Sequence, residues 1–219
     1  MFIKATAIRK HSTKSFIALC AAVYAAGAWA GPSASSSAPA EYRLALWPQR
    51  AHSPDFTLVD VNGQRHSLAN YRGRVVVMVF GFTRCPDVCP AELFKLALAM
   101  KRLGPVSDRV QVLFVSLDPE WDTPKVLKHY VAGFDRRFVG LTGTASEVNQ
   151  AAANFFVEYA RVEVGAGHTI DHSAAVFVCD ARGRLRLLGT PDTSVPDFVH
   201  DLAALAAEQA RGQSDANNR

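Results

Sequence analysis

No stretch of the sequence reaches the ~20 apolar residues that a comfortable membrane-spanning helix needs. The nearest, Phe16 to Ala30, has 15 residues and is rich in alanine. Lys4, Arg9, Lys10 and Lys14 precede its core and Ala28-Trp29-Ala30 closes it, the pattern of an export signal cut before Gly31. An uncleaved anchor is the alternative, and membrane association would then follow from this segment alone. Cys20 falls inside it, with Leu19 where a lipoprotein signal would carry a small residue, and belongs to the leader. Surplus charge is missing as well. The formal charge of +4 is owed to the four basic leader residues, leaving 20 basic against 20 acidic side chains in the rest. A chain without a basic stripe offers no footprint for nucleic acid. Length for a second domain is also lacking: with 219 residues, 49% of them hydrophobic, the chain suits one compact core and a monomer. The expected organisation is a leader over 1–30, a flexible Ser/Ala/Pro-rich tether over 31–50, a folded domain over 51–210 and a polar tail over 211–219.

Within the domain, apolar runs alternate with helical patterns. Phe56 to Val61, the Asn62-Gly63 turn and Gln64 to Leu68 read as a β-hairpin, because Asn-Gly suits the left-handed turn between twisted strands. Val75 to Phe82 and Val110 to Ser116 read as buried strands, Phe138 to Leu141 as a short one, and Ala174 to Cys179 with Leu185 to Gly189 as a late hairpin. Helical spacing marks Ala91 to Leu103, a segment opened by Pro124, Ser146 to Asn154, and Val195 to Leu205. Phe155 to Val164 reads as extended, and Gly165-Ala166-Gly167 interrupts the pattern. The fold class is α/β, a central mixed sheet with helices on both faces.

The chemistry concentrates where the strand Val75 to Phe82 gives way to a helix, at Cys85-Pro86-Asp87-Val88-Cys89-Pro90. Thiolates are soft ligands and strong nucleophiles, and the unpaired amides and dipole at a helix start favour them. Two uses are open: binding a soft metal, or exchanging disulfides. Cys179, inside Ala174 to Val178, reads as a small core hydrophobe. A metal would need a third donor, and His172 stands out among seven histidines by lying between a glycine-rich loop and a core strand. Asp171 beside it could orient its ring, and His168 four residues earlier competes with it. Two thiolates and one imidazole make a trigonal copper site, whereas zinc would ask for a fourth ligand.

Three segments carry a resemblance. GFTRCPDVCPAEL is similar to the copper-binding motif of the Sco/SenC family, VLFVSLDPEWDTP resembles its S-x-D-P-x-x-D-T-P segment, and IDHSAAVFVCDARGRL resembles its D-H-S strand. Together they run from Pro54 to about Ala206. The resemblance implies a thioredoxin-like fold with the N-terminal β-hairpin as an extension, and export to a bacterial periplasm, soluble or anchored. It implies one copper ion per chain, as Cu(I) or Cu(II), taken from a copper donor for the dinuclear copper centre of cytochrome c oxidase. A thiol reductant would keep the pair open. Cys85 and Cys89 match the thiolate ligands, which also form the redox-active disulfide of the family, and His172 matches the imidazole. Asp118 and Asp122 match acidic positions of the family turn, where a capping or loop-ordering role is expected. Tyrosine is usual where this chain has His168, an auxiliary ligand or, as favoured here, a solvent-facing substitution.

The main rival is a thiol-disulfide oxidoreductase on the same scaffold. Enzymes of that kind use C-x2-C and place proline before the strand facing the thiols; this chain has C-x3-C and Asp171-His172-Ser173. A peroxidase would carry threonine three residues before the reactive cysteine, and Thr83 is two before Cys85.

Overall fold

The computed structural model describes residues 41–48 and 52–217, so the leader and most of the tether lie outside the described residues. β4 (Val75–Gly81) and β5 (Val110–Ser116) form the centre. Both are buried at every position, as expected of strands covered on two faces. They run parallel, paired one to one from Val75 opposite Val110 to Gly81 opposite Ser116. Around them the sheet is ordered β1-β10-β9-β4-β5-β6-β2-β3, from β1 (Ala45–Leu46), β2 (Leu58–Asp60), β3 (Arg65–His66), β6 (Val139–Thr142), β9 (Val176–Cys179) and β10 (Leu185–Gly189). β9 is antiparallel to β4, and β6 is parallel to β5, giving the mixed sheet that the strand pattern implied.

The Asn62-Gly63 hairpin is present, with Gly63 at φ +79° and the Asp60 carboxylate accepting from the amides of Asn62 and Gln64. It extends the sheet beyond β6. α1 (Val88–Leu103) packs with α4 (Val195–Asn217), and α2 (Pro124–Ala132) packs on β6. α3 (Ala145–Asn154) starts with a capping box: the Thr144 hydroxyl accepts from the Glu147 amide and the Glu147 carboxylate from the Thr144 amide.

Three boundaries differ from expectation. Ala45–Leu46 is not tether but an edge strand on β10, because Leu44 is buried and Asp201 accepts the amides of Arg43 and Leu44. The polar tail expected over 211–219 is instead helical as far as Asn217, the end of α4. The glycine-rich interruption is a turn: β7 (Tyr159–Val164) and β8 (Gly167–His172) pair as a separate two-stranded sheet. Gly165, at φ +60°, takes the first central position of their two-residue turn. No helix among the described residues is long and apolar enough to cross a membrane.

Candidate metal centre

β4 and β5 end at the same level, so the loops that follow, 82–87 and 117–123, lie side by side. The far end of β8 reaches the same place. α1 starts at Val88, three residues before its apolar spacing indicates. Cys89 is therefore in the first helical turn and Cys85 in the loop. Asp87 makes no side-chain cap; the Cys85 sulfur instead accepts the Cys89 amide at 3.5 Å. Pro90 fits the first turn because its missing N–H needs no partner there.

Cys89 is 2% exposed and Cys85 half-buried. The Cys89 sulfur rests on Gly81, where a Cβ would stand 2.7 Å from it and 3.1 Å from Phe114. Glycine ends β4 because nothing larger fits under the thiol. Burial, followed by the neighbouring Cys85 thiol and Asp122, pushes the Cys89 pKa up to about 12 against a partial lowering by the Phe82 backbone. Cys179 is free but fully buried in β9, and burial pushes its pKa up as well, which fits a core role.

His172 ends β8 with its Nε2 3.7 Å from the Cys89 sulfur. Its Nδ1 lies 3.1 Å from the Ser173 carbonyl. A carbonyl only accepts, so Nδ1 is the donor there, and in the neutral ring the Nε2 lone pair faces the thiol, the tautomer a metal ligand needs. The ring also meets Phe82 edge-on at 6.2 Å. Asp171 does not orient this ring: strand alternation puts it on the other face of β8, where it is exposed.

The two aspartates of the second loop hold the first loop in place. Asp122, 1% exposed, accepts from the Thr83 amide at 3.0 Å, the Thr83 hydroxyl at 2.5 Å and the Ser116 hydroxyl at 2.6 Å. Capping of α2 falls to Thr123, whose hydroxyl accepts from the Val126 amide. Asp118 accepts from Arg84 at 2.9 Å and lies 2.9 Å from His168 Nε2. His168 does not face solvent; its side chain is 9% exposed and bound to Asp118 and Arg84. Residue spacing gave no sign of Arg84 or Trp121, yet the Arg84 guanidinium lies 4.2 Å over the Trp121 ring. Their one signal was an arginine between a buried strand and a proline, and a tryptophan in a polar turn. Behind the thiols, the Tyr130 hydroxyl is buried with no hydrogen-bond partner among the described residues; burial and then the charges of Cys89, Cys85 and Asp122 push its pKa up.

The SCO1/SenC family profile matches residues 46–207. The chain belongs to the SCO1/SenC family. Mouse (Mus musculus) "Protein SCO2 homolog, mitochondrial" is 38% identical over 133 residues, 59% of this chain and 52% of that protein. The match thus spans about half the length of that relative. The structure of Arabidopsis thaliana ScoI with copper bound superposes with a TM-score of 0.68 at 29% identity, covering 72% of this chain and 99% of that one. Apo Sco1 from Thermus thermophilus gives 0.70 at 38% identity, covering 77% and 99%. The fold is the thioredoxin-like fold of these SCO1/SenC structures. In this SCO1/SenC chain the donor set of two sulfurs and an imidazole nitrogen suits a soft monovalent ion. Among the described residues, no three Cys, His, Asp or Glu side chains stand close enough together to hold a metal ion. Cys89 and His172 are adjacent, while the Cys85 sulfur is turned to the helix amide.

Proposed function

We propose that this protein is a copper metallochaperone that binds one copper ion through Cys85, Cys89 and His172 and delivers it to, or prepares the thiols of, the dinuclear copper centre of cytochrome c oxidase. The observation that carries this is the His172 Nε2 lone pair held 3.7 Å from the Cys89 sulfur. An imidazole beside a thiol can also activate it for exchange, so copper stoichiometry and turnover are what separate the two readings. Copper is cargo here, and copper-bound relatives such as Arabidopsis ScoI support its identity.

Loading requires Cys85 and Cys89 to lose their protons, since thiolates and not thiols are the ligands. Cys85 turns its sulfur from the Cys89 amide toward His172 Nε2, completing a trigonal set. Transfer then runs by replacement of these donors, one at a time, by those of the acceptor. Oxidation of the two thiols to a disulfide releases two electrons and two protons to an oxidant and removes both sulfur donors. A reductant must restore them. An exported location follows from the leader pattern, with the mature domain soluble or held at the membrane by residues 1–30.

The test is copper titration of the reduced protein. One equivalent is expected to bind, with loss on Cys85→Ser or Cys89→Ser and weakening on His172→Ala. A thiolate-to-Cu(II) charge-transfer band should accompany the Cu(II) form. Full retention of one copper by Cys85→Ser would sink the assignment. Catalytic, multi-turnover reduction of a protein disulfide by the copper-free protein would favour the oxidoreductase reading.

A further inference from the structure

The imidazole donor is carried by a sheet that, among the described residues, shares no ladder with the large one. β7 and β8 pair only with each other, and β7 is exposed along nearly its whole length. Residues 173–175 tie the end of β8 to β9 in the large sheet, and the rest of the hairpin's placement must come from side chains. Alternation puts His168, Ile170 and His172 on one face of β8, with His168 and His172 roughly 13 Å apart along the strand. Ile170 is buried on this face and supplies adhesion, which is non-directional. Direction comes from polar ties: the Tyr159 hydroxyl donates to Asn149 of α3, and His168 is the residue that reaches the thiol loop. Its Nε2 lies 2.9 Å from Asp118 Oδ2 and 2.7 Å from Arg84 Nη2.

We infer that His168 is a positioning residue that clamps the β7–β8 hairpin to the thiol loop and to the end of β5, and so sets the His172 ring over Cys89. This rests on the reading of Cys85, Cys89 and His172 as metal donors. Each partner of His168 is itself fixed. Asp118 is 3% exposed and its amide donates to the Ser116 hydroxyl at the end of β5. Arg84 precedes Cys85 and is held between Asp118 and the Trp121 ring. One clamp thus joins the hairpin, the Cys85 loop and the Asp118 turn.

The chemistry of one nitrogen between two partners makes the clamp tolerant. With a proton on Nε2 the ring donates to the Asp118 carboxylate; without one it accepts from the Arg84 guanidinium. Either way one charge-assisted bond remains, in a site largely shielded from water. A second tie, Arg161 to Glu120 at 2.9 Å, joins the hairpin to the same turn, but both side chains are exposed and such a pair contributes little.

The test uses the full chain with His168→Phe, which keeps a ring and loses the nitrogen, and His168→Gln, whose amide offers a donor to Asp118 and an acceptor to Arg84. Arg161→Ala serves as the control. In the reduced, metal-free protein, His168→Phe should speed amide hydrogen exchange across 159–172 by roughly tenfold, the worth of a hydrogen bond to a charged group. The amides of β4 and β5 should keep their wild-type rates. His168→Gln should restore most of the protection, and Arg161→Ala should change it little. Copper affinity of His168→Phe should fall toward that of His172→Ala, while the Cu(II) electron-spin signal of the copper that still binds keeps its coupled nitrogen. Unchanged exchange in His168→Phe overturns the clamp. Loss of the coupled nitrogen in His168→Phe but not in His172→Ala overturns it too, by making His168 the ligand. If the wild-type protein binds no copper, the donor assignment fails, and the exchange measurement still decides the clamp.

Discussion

Asp122 shows how much one buried carboxylate can organise. It satisfies the Thr83 amide, the Thr83 hydroxyl and the Ser116 hydroxyl from a position 1% exposed. Replacing it with alanine leaves those donors unpaired, so Asp122→Ala should lose about 2–3 kcal/mol of stability, read from the denaturant midpoint. Asp122→Asn should lose less. The thiols differ in a way that alkylation can read. Burial pushes Cys89 up to about 12, so it stays protonated at pH 8, and Cys179 is more deeply enclosed still. Iodoacetamide at that pH should modify Cys85 first, with Cys89 and Cys179 following only on unfolding; equal labelling of Cys85 and Cys89 in the folded protein would refute this. That Cys85, Cys89 and His172 come to the same end of the sheet is legible in the sequence, because motif and context mark them. Arg84, Trp121 and the true setting of His168 are not, since each depends on a partner in another loop, and residue spacing holds no information on which loops meet.

At the scale of elements, the buried strands β4 and β5 were read within a residue, because a continuous apolar run has only one sheltered place to go. The start of α1 was less legible. Its first turn is closed by a sulfur and a proline where the usual sequence signals are a capping side chain and an apolar repeat. The β7–β8 hairpin is hidden in the sequence because Gly165 and Gly167 read as an interruption, whereas Gly165 supplies the positive φ of a tight turn. Gly81 marks the point where strand becomes site. Gly81→Ala should push the Cys89 sulfur off its seat and cost about 1–3 kcal/mol, the range for overfilling a packed interior. Loss of copper binding with a smaller loss of stability would be the expected pairing. Gly183→Ala, at φ +73° and with a Cβ 2.5 Å from Arg72 Nη1, should destabilise the β9–β10 turn and leave the thiols alone.

For the whole molecule, pH acts through groups spread over the fold. The Arg137 hydrogen bond holds Asp135 below the usual carboxylate range. At Asp60 and Asp180 burial works the other way, but amides from Gln64 and Asn62, and the Arg184 side chain and amide, outweigh it. A carboxylate depressed in the folded state stabilises above its unfolded pKa of about 3.9 and loses that contribution as pH falls through the folded value. Urea midpoints should therefore hold from pH 6 to about 4 and drop below it, with Asp180→Asn flattening the drop. At the alkaline end the signs reverse for Cys89 and Cys179. Their folded pKa values are raised, so stability should decline as pH climbs past about 8.5, where the unfolded thiols ionise. The separate pairing of β7 with β8 divides the molecule more deeply than any of these gradients. Local opening can begin in a small unit without waiting for the large one, so amide exchange is expected to resolve two lifetimes. One belongs to the sheet and its helices and is seen as a melting temperature. The other belongs to the six residues of β8, which end on His172 beside the Cys89 sulfur. Substitutions on the hairpin can shorten the second and leave the first untouched.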